Sequence, residues 1–185
     1  NDSKQKPYNK EIIIEINQLV NPINSLNKKN IEEKIKKLIN DSKSDYIIFA
    51  ENNFPYLIDK NNLNTLNTFI QDNKKVIIGA TTIHDGDYYN SFFLLEKNKI
   101  QTFDKQILVP FGEFLPFRKY LNFMEIISGS NDYQKGDAER IITTSDNLKI
   151  LPIICYEIVF DKIFNNINKK EIDILVNITN DSWFG

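Results

Sequence analysis

Three side chains of this sequence, Glu51, Lys105 and Cys155, are of types that together can run nucleophilic acyl chemistry, and 54 and 50 residues separate them along the chain. Cys155 is the sole cysteine, so it forms no internal disulfide and stands either as a nucleophile or as a small buried hydrophobe. A catalytic thiol is commonly activated by histidine. The single histidine, His84, adjoins Asp85-Gly86 at a polar hairpin tip and reads as a solvated turn residue. A carboxylate is then needed as base and a fixed cation to hold an oxyanion, and Glu51 and Lys105 are the groups available for these roles.

What positions them is a shared placement at strand ends. Glu51 follows the apolar run Tyr46 to Ala50, Lys105 follows Ile100 to Asp104, and Cys155 ends Leu148 to Ile154. Ligands gather beyond the carboxyl ends of strands in parallel sheets, so three such ends can converge on one site. Cys155 also precedes a predicted helix, and a helix N-terminus with a nearby cation lowers a thiol pKa.

The remaining elements follow from periodicity. Glu11 to Gln18 alternates as a strand, and Ile31, Ile35, Leu38 and Ile39 form the stripe of a helix over Asn30 to Ser42. A second helix is predicted near Leu63 to Gln71. Two hairpins follow, Val76 to Thr82 turning through Asp85-Gly86-Asp87 into Tyr89 to Glu96, then Lys97-Asn98 into Ile100 to Asp104. Ile141 to Thr144 and Leu148 to Cys155 are strands joined by Asp146-Asn147, a helix is expected around Phe160 to Asn168, and Ile172 to Ile178 is the last strand. Strands alternating with helices and hairpins predict a mixed sheet covered by helices, the α/β class.

Composition narrows the functions. With 23 basic against 25 acidic residues the chain presents no strong field, so nucleic acid is not an expected partner. One Cys and one His without ligand spacing argue against a metal centre. The apolar stretch Leu148 to Phe160 is broken by Lys149, Pro152 and Glu157 and falls far short of the ~20 apolar residues of a membrane span. The length, 185 residues, suits a single domain with a sizeable core, and the polar Asn1 to Lys10 without an initiator Met reads as a domain cut from a longer chain.

Three strings carry a resemblance: Phe103-Asp104-Lys105-Gln106-Ile107-Leu108-Val109-Pro110-Phe111-Gly112-Glu113-Phe114-Leu115-Pro116, Cys155-Tyr156-Glu157-Ile158 and Asn180-Asp181-Ser182-Trp183-Phe184-Gly185. Together they resemble the nitrilase (carbon-nitrogen hydrolase) superfamily and, within it, the bacterial apolipoprotein N-acyltransferases. The superfamily's Glu-Lys-Cys triad falls on Glu51, Lys105 and Cys155. Ala50, where the family often has Pro, and Gln106, where it often has His or Arg, depart from the pattern without removing a reacting group.

The resemblance implies an α-β-β-α sandwich over residues 1–185, incomplete at its C-terminus because the family continues with a further helix and strands. It implies acyl transfer from a phospholipid, through a Cys155 thioester, to the α-amine of the lipid-modified N-terminal cysteine of an apolipoprotein, with no cofactor. Glu113 and Glu157 are the implied supporting carboxylates. Tyr156 and Trp183, with Phe111, Phe114 and Phe117 of the aromatic loop 111–127, are candidates to line the lipid site. The density of aromatic residues in that loop marks a lid that meets the bilayer if they are exposed and ordinary core if they are buried, and its charges Arg118, Lys119 and Glu125 favour the lid. The implied location is the bacterial inner membrane, with the domain facing the periplasm between transmembrane helices. Two alternatives remain: a soluble nitrilase-type amidase acting on a small amide, and a catalytically silent domain that binds lipid or a partner.

Overall fold

A computed structural model describes residues 11–19, 27–110, 112–114, 132–165, 167 and 171–180. Strand β1 (Ile14–Asn17) leads to helix α1 (Lys28–Asp41), then β2 (Tyr46–Phe49), β3 (Ile58–Asp59), the short helix α2 (Asn64–Asn67) and β4 (Lys75–His84). After it come β5 (Asp87–Glu96), β6 (Lys99–Asp104), β7 (Ile142–Thr143), β8 (Lys149–Ile154), a 3-10 turn (Cys155–Val159), helix α3 (Lys162–Asn165) and β9 (Ile174–Ile178).

The strands form two sheets rather than the one that alternation alone suggested. The larger runs β1-β2-β4-β5-β6 with β3 beside β4, and the smaller runs β7-β8-β9. β1, β2 and β4 are mutually parallel, β5 is antiparallel to β4, and β6 to β5. The carboxyl ends of β2, β4 and β6 therefore point the same way.

All four residues of β2 are buried, because the strand is covered on both faces. Tyr46 and Ile48 join Ile77, Phe92, Leu94 and Phe103 in a core shared with Ile150, Ile154, Val176 and Ile178 of the smaller sheet. Ile47 and Phe49 face the other way, onto Ile35 and Ile39 of α1. Beyond the smaller sheet, Leu151 and Ile153 pack on Ile163 of α3. The layers thus read helix, sheet, sheet, helix, the expected α-β-β-α sandwich. Among the described residues no helix is long and apolar enough to cross a membrane.

Local chemistry accounts for the boundaries. α1 starts where the Asn27 side chain accepts from the Asn30 N–H at 3.2 Å. β4 runs on to His84 because Asp85 and Gly86, with φ of 51° and 90°, make the tight two-residue turn that suits a twisted hairpin. The helix predicted over Leu63 to Gln71 is only four residues long: Asn64, Thr65, Asn67 and Thr68 favour turns over helix, and burial of Leu66 and Phe69 fixes the segment. The helix expected around Phe160 to Asn168 is, among the described residues, the short α3 preceded by the 3-10 turn.

Candidate active site

Glu51 leaves β2 in a turn whose next residue, Asn52, has φ 50°. The turn lies against β4 at Gly79, where a Cβ would come within 2.7 Å of both the Glu51 Cα and the Asn52 nitrogen. Only glycine permits that approach. Lys105 leaves β6 and is held by backbone bonds, its N–H donating to Asn90 at 2.8 Å and its carbonyl accepting from Gly136 at 2.9 Å. Cys155 leaves β8 with φ 54°, a left-handed conformation that costs a non-glycine residue of order 1–2 kcal/mol. The strand expected to reach Cys155 ends at Ile154 for this reason.

The three ends meet. Lys105, 1% exposed, has its Nζ 3.8 Å from Glu51 Oε1 and 2.9 Å from Glu113 Oε1. Asn90, on β5, donates from one amide nitrogen to Glu51 Oε1 at 2.7 Å and Glu113 Oε1 at 2.9 Å. Its Oδ1 is buried without a partner among the described residues. The Val109 N–H holds the other oxygen of Glu113 at 3.0 Å. The Cys155 thiol lies near enough to the Glu51 carboxylate for each to shift the other's titration and receives the Thr179 hydroxyl at 3.6 Å, while Asn177 donates to the Cys155 carbonyl at 3.3 Å.

Burial holds the Glu51 carboxyl above the usual carboxylate range, against the pull of Lys105 and Asn90. Burial, then the neighbouring Glu51, pushes the Cys155 thiol up as well, with Thr179 and Lys105 opposing. This differs from the lowered thiol pKa expected of a cysteine before a helix, because burial and then the neighbouring Glu51 carboxylate outweigh the pull of Lys105, and the element that follows is a short 3-10 turn. A thiol beside a carboxylate is a pair between which one proton can pass.

Glu157 is fully buried and touches none of these reacting groups; its oxygens accept from the Ile154, Gln106 and Ile107 N–H groups at 2.9–3.0 Å. Tyr156 is 56% exposed, edge-on to Phe160 at 6.3 Å. Phe114 is half-buried and bridges to Pro110. Phe111, Phe117, Trp183 and most of the 111–127 loop lie outside the described residues. His84 sits at the hairpin tip, its side chain 45% exposed beside Asp85.

Asn90 and Tyr133 were not singled out from the sequence. The signal for Asn90 was Asn90-Ser91 breaking an otherwise apolar strand, since a buried polar pair needs partners. Tyr133, whose hydroxyl meets Thr81 at 3.0 Å, follows the aromatic loop with no local mark.

A cysteine, a carboxylate and an ammonium gathered at the strand ends of an α-β-β-α sandwich define a class of thiol-bearing hydrolase-fold proteins. Residues 21–185 match the carbon-nitrogen hydrolase family model, and the chain belongs to that family. It is 38% identical over 120 residues to the apolipoprotein N-acyltransferase of Rickettsia prowazekii, covering 63% of this chain and 22% of that protein. To the Rickettsia typhi apolipoprotein N-acyltransferase it is 34% identical over 165 residues, 84% of this chain and 32% of the relative. The chain thus spans about a fifth to a third of the length of these relatives. Among solved structures, a carbon-nitrogen hydrolase from Helicobacter pylori superposes with a TM-score of 0.61 at 15% identity, over 91% of this chain and 60% of that one, a likeness of fold.

Proposed function

We propose that this chain is the catalytic domain of an apolipoprotein N-acyltransferase, with Cys155 as nucleophile, Glu51 as base and Lys105 as oxyanion partner. The observation that carries the reading is the meeting of a thiol, a buried carboxylate and a buried ammonium at adjoining strand ends. The names of the relatives support the acyltransferase branch over a soluble amidase.

In the first step Glu51 takes the Cys155 proton as the sulfur attacks the ester carbonyl of a phospholipid. Lys105 Nζ and the backbone N–H of Tyr156 hold the oxyanion. Collapse breaks the ester C–O bond, the departing oxygen takes the proton from Glu51, and lysophospholipid leaves an acyl-thioester behind. In the second step the α-amine of the apolipoprotein's lipid-modified cysteine attacks the thioester; Glu51 receives the amine proton and returns it to the sulfur. Glu113 keeps Lys105 directed at the reacting carbon, and Asn90 holds the two carboxylates side by side. The raised Glu51 carboxyl sets the acid limb of the rate above the ordinary carboxylate range, because only its ionised form accepts the proton. The aromatic loop 111–127, with Phe111, Phe114 and Phe117, together with Tyr156 and Trp183, lines the lipid site in this reading, and the domain faces the periplasm at the bacterial inner membrane.

The test is intact-mass analysis of the full-length protein given phospholipid without acceptor. An acyl increment is expected on the wild type and none on Cys155→Ala. An adduct that survives Cys155→Ala removes Cys155 as the nucleophile. Turnover of small amides with no acyl adduct favours the amidase instead.

A further inference from the structure

Lys105 and Cys155 hang from different sheets, β6 in the larger and β8 in the smaller, so no strand ladder sets the gap between them. One carboxylate bonds to both sides of that gap. Glu157 Oε1 accepts from the N–H groups of Gln106 at 2.9 Å and Ile107 at 3.0 Å, directly after Lys105. Its Oε2 accepts from the Ile154 N–H at 3.0 Å, directly before Cys155.

The Glu157 carboxylate has no exposed surface, and Arg140 pairs with it in a two-pronged grip, 2.9 Å to Oε1 and 3.3 Å to Oε2. The same guanidinium donates to Gln106 Oε1 at 2.8 and 3.2 Å and to the Pro152 carbonyl at 3.4 Å, and it lies 4.8 Å from the centre of the Phe103 ring. Gln106 in turn donates to the Ala138 carbonyl at 2.7 Å. Arg140 therefore touches β6, the stretch after the lysine, β8 and the turn after the cysteine, and none of the reacting groups. Five planar donors make this possible for arginine and not for lysine.

We propose that Arg140 is a positioning residue which, through Glu157 and Gln106, fixes the separation of Lys105 and Cys155. The proposal rests on the acyl-transfer reading only for its rate measurement.

The experiment compares Arg140→Met, Arg140→Lys and Gln106→Leu in the full-length enzyme. Misplacing a reacting group by about 1 Å costs on the order of a hundredfold. Arg140→Met is expected to lower kcat for thioester formation by about ten- to a hundredfold with KM for phospholipid within about twofold. Arg140→Lys keeps the charge without the fork and is expected to fall between. Gln106→Leu, which leaves the Arg140 to Glu157 pair in place, gives the smallest loss.

Alkylation of Cys155 by iodoacetamide across pH is the second readout. The thiol faces Glu51, Lys105 and Thr179, so withdrawing the lysine moves the alkylation midpoint upward. A purely structural arginine would lower the melting temperature and leave both kcat of the folded fraction and the midpoint unchanged; that result in any variant that folds overturns the proposal. Should the wild type form no acyl-thioester, the acyltransferase reading falls, and the alkylation midpoint still decides for or against the clamp.

Discussion

The two ends of the sandwich use their carboxylates in opposite ways. At the end where β2, β4 and β8 begin, Asp146 accepts from Tyr46 at 2.9 Å, Thr144 at 2.5 Å and Lys75 at 3.1 Å, while Glu96 accepts from the Ser145 backbone and hydroxyl at 2.9 and 2.7 Å. Burial works against the ionised Asp146, yet these donors together hold it below the usual carboxylate range. At the other end Glu51 and Glu113 share one lysine and one amide nitrogen, and Glu51 is held above that range. Both ends join the larger sheet to residues of the smaller. One is well supplied with donors, whereas at the other two carboxylates share one lysine and one amide nitrogen beside a thiol, an arrangement that the proposed acyl transfer would use.

The largest expected effects test the reactive end. Glu51→Gln and Lys105→Met are each expected to lower thioester formation by at least ~10²–10³-fold, the range for loss of one oxyanion donor, measured by single-turnover acylation. A folded carboxyl with a raised pKa favours folding below its ordinary value and loses that advantage as pH rises through the raised one. Glu51→Gln is therefore expected to unfold no more easily than wild type at neutral pH. More than a tenth of the activity in either variant would sink the assigned roles.

Gly79→Ala comes next, since its methyl would strike the backbone of Glu51 and Asn52 and neither can yield without moving the Glu51 carboxylate. Denaturant titration is expected to show a loss of about 1–3 kcal/mol, with acylation down roughly tenfold or more. Wild-type values of both would mean that the turn at Glu51 is not held by this contact.

Asp146→Asn sharpens the contrast from the other side. Removing a charged acceptor from three donors is expected to cost about 1–3 kcal/mol with acylation unchanged. The wild-type advantage is present above the ordinary aspartate pKa and lost as pH falls through the depressed one, so the two proteins converge in acid. Loss of activity at neutral pH would show the ends to be coupled. His84→Asn, at the exposed hairpin tip, is expected to alter neither stability nor acylation, measured in the same assays.

What was readable beforehand divides along physical lines. The apolar run of β2, the α1 stripe and the Asp85-Gly86 turn are local patterns, and local patterns determined those elements. Glu51, Lys105 and Cys155 stood out because each follows a strand, and the structure brings them together. Asn90 and Tyr133 act across gaps of 39 and 52 residues, on Glu51 and Thr81, and nothing in their own neighbourhood encodes the partner. The division into two sheets escaped the alternation pattern too, because a strand buried on both faces looks the same whichever sheet receives it. α2 is short because Asn and Thr side chains compete for its backbone while Leu66 needs only one turn to be buried.

Left-handed backbone at position 155 suits glycine or asparagine better than cysteine, so in the proposed function it is the reaction that keeps a thiol there. In a lineage released from the need for that reaction, drift is expected to replace Cys155 early. Gly79 and Glu157, which hold backbone segments in place whatever the chemistry, are expected to outlast it. The order in which these three positions decay in lapsed copies of the gene would record whether function or fold was abandoned first.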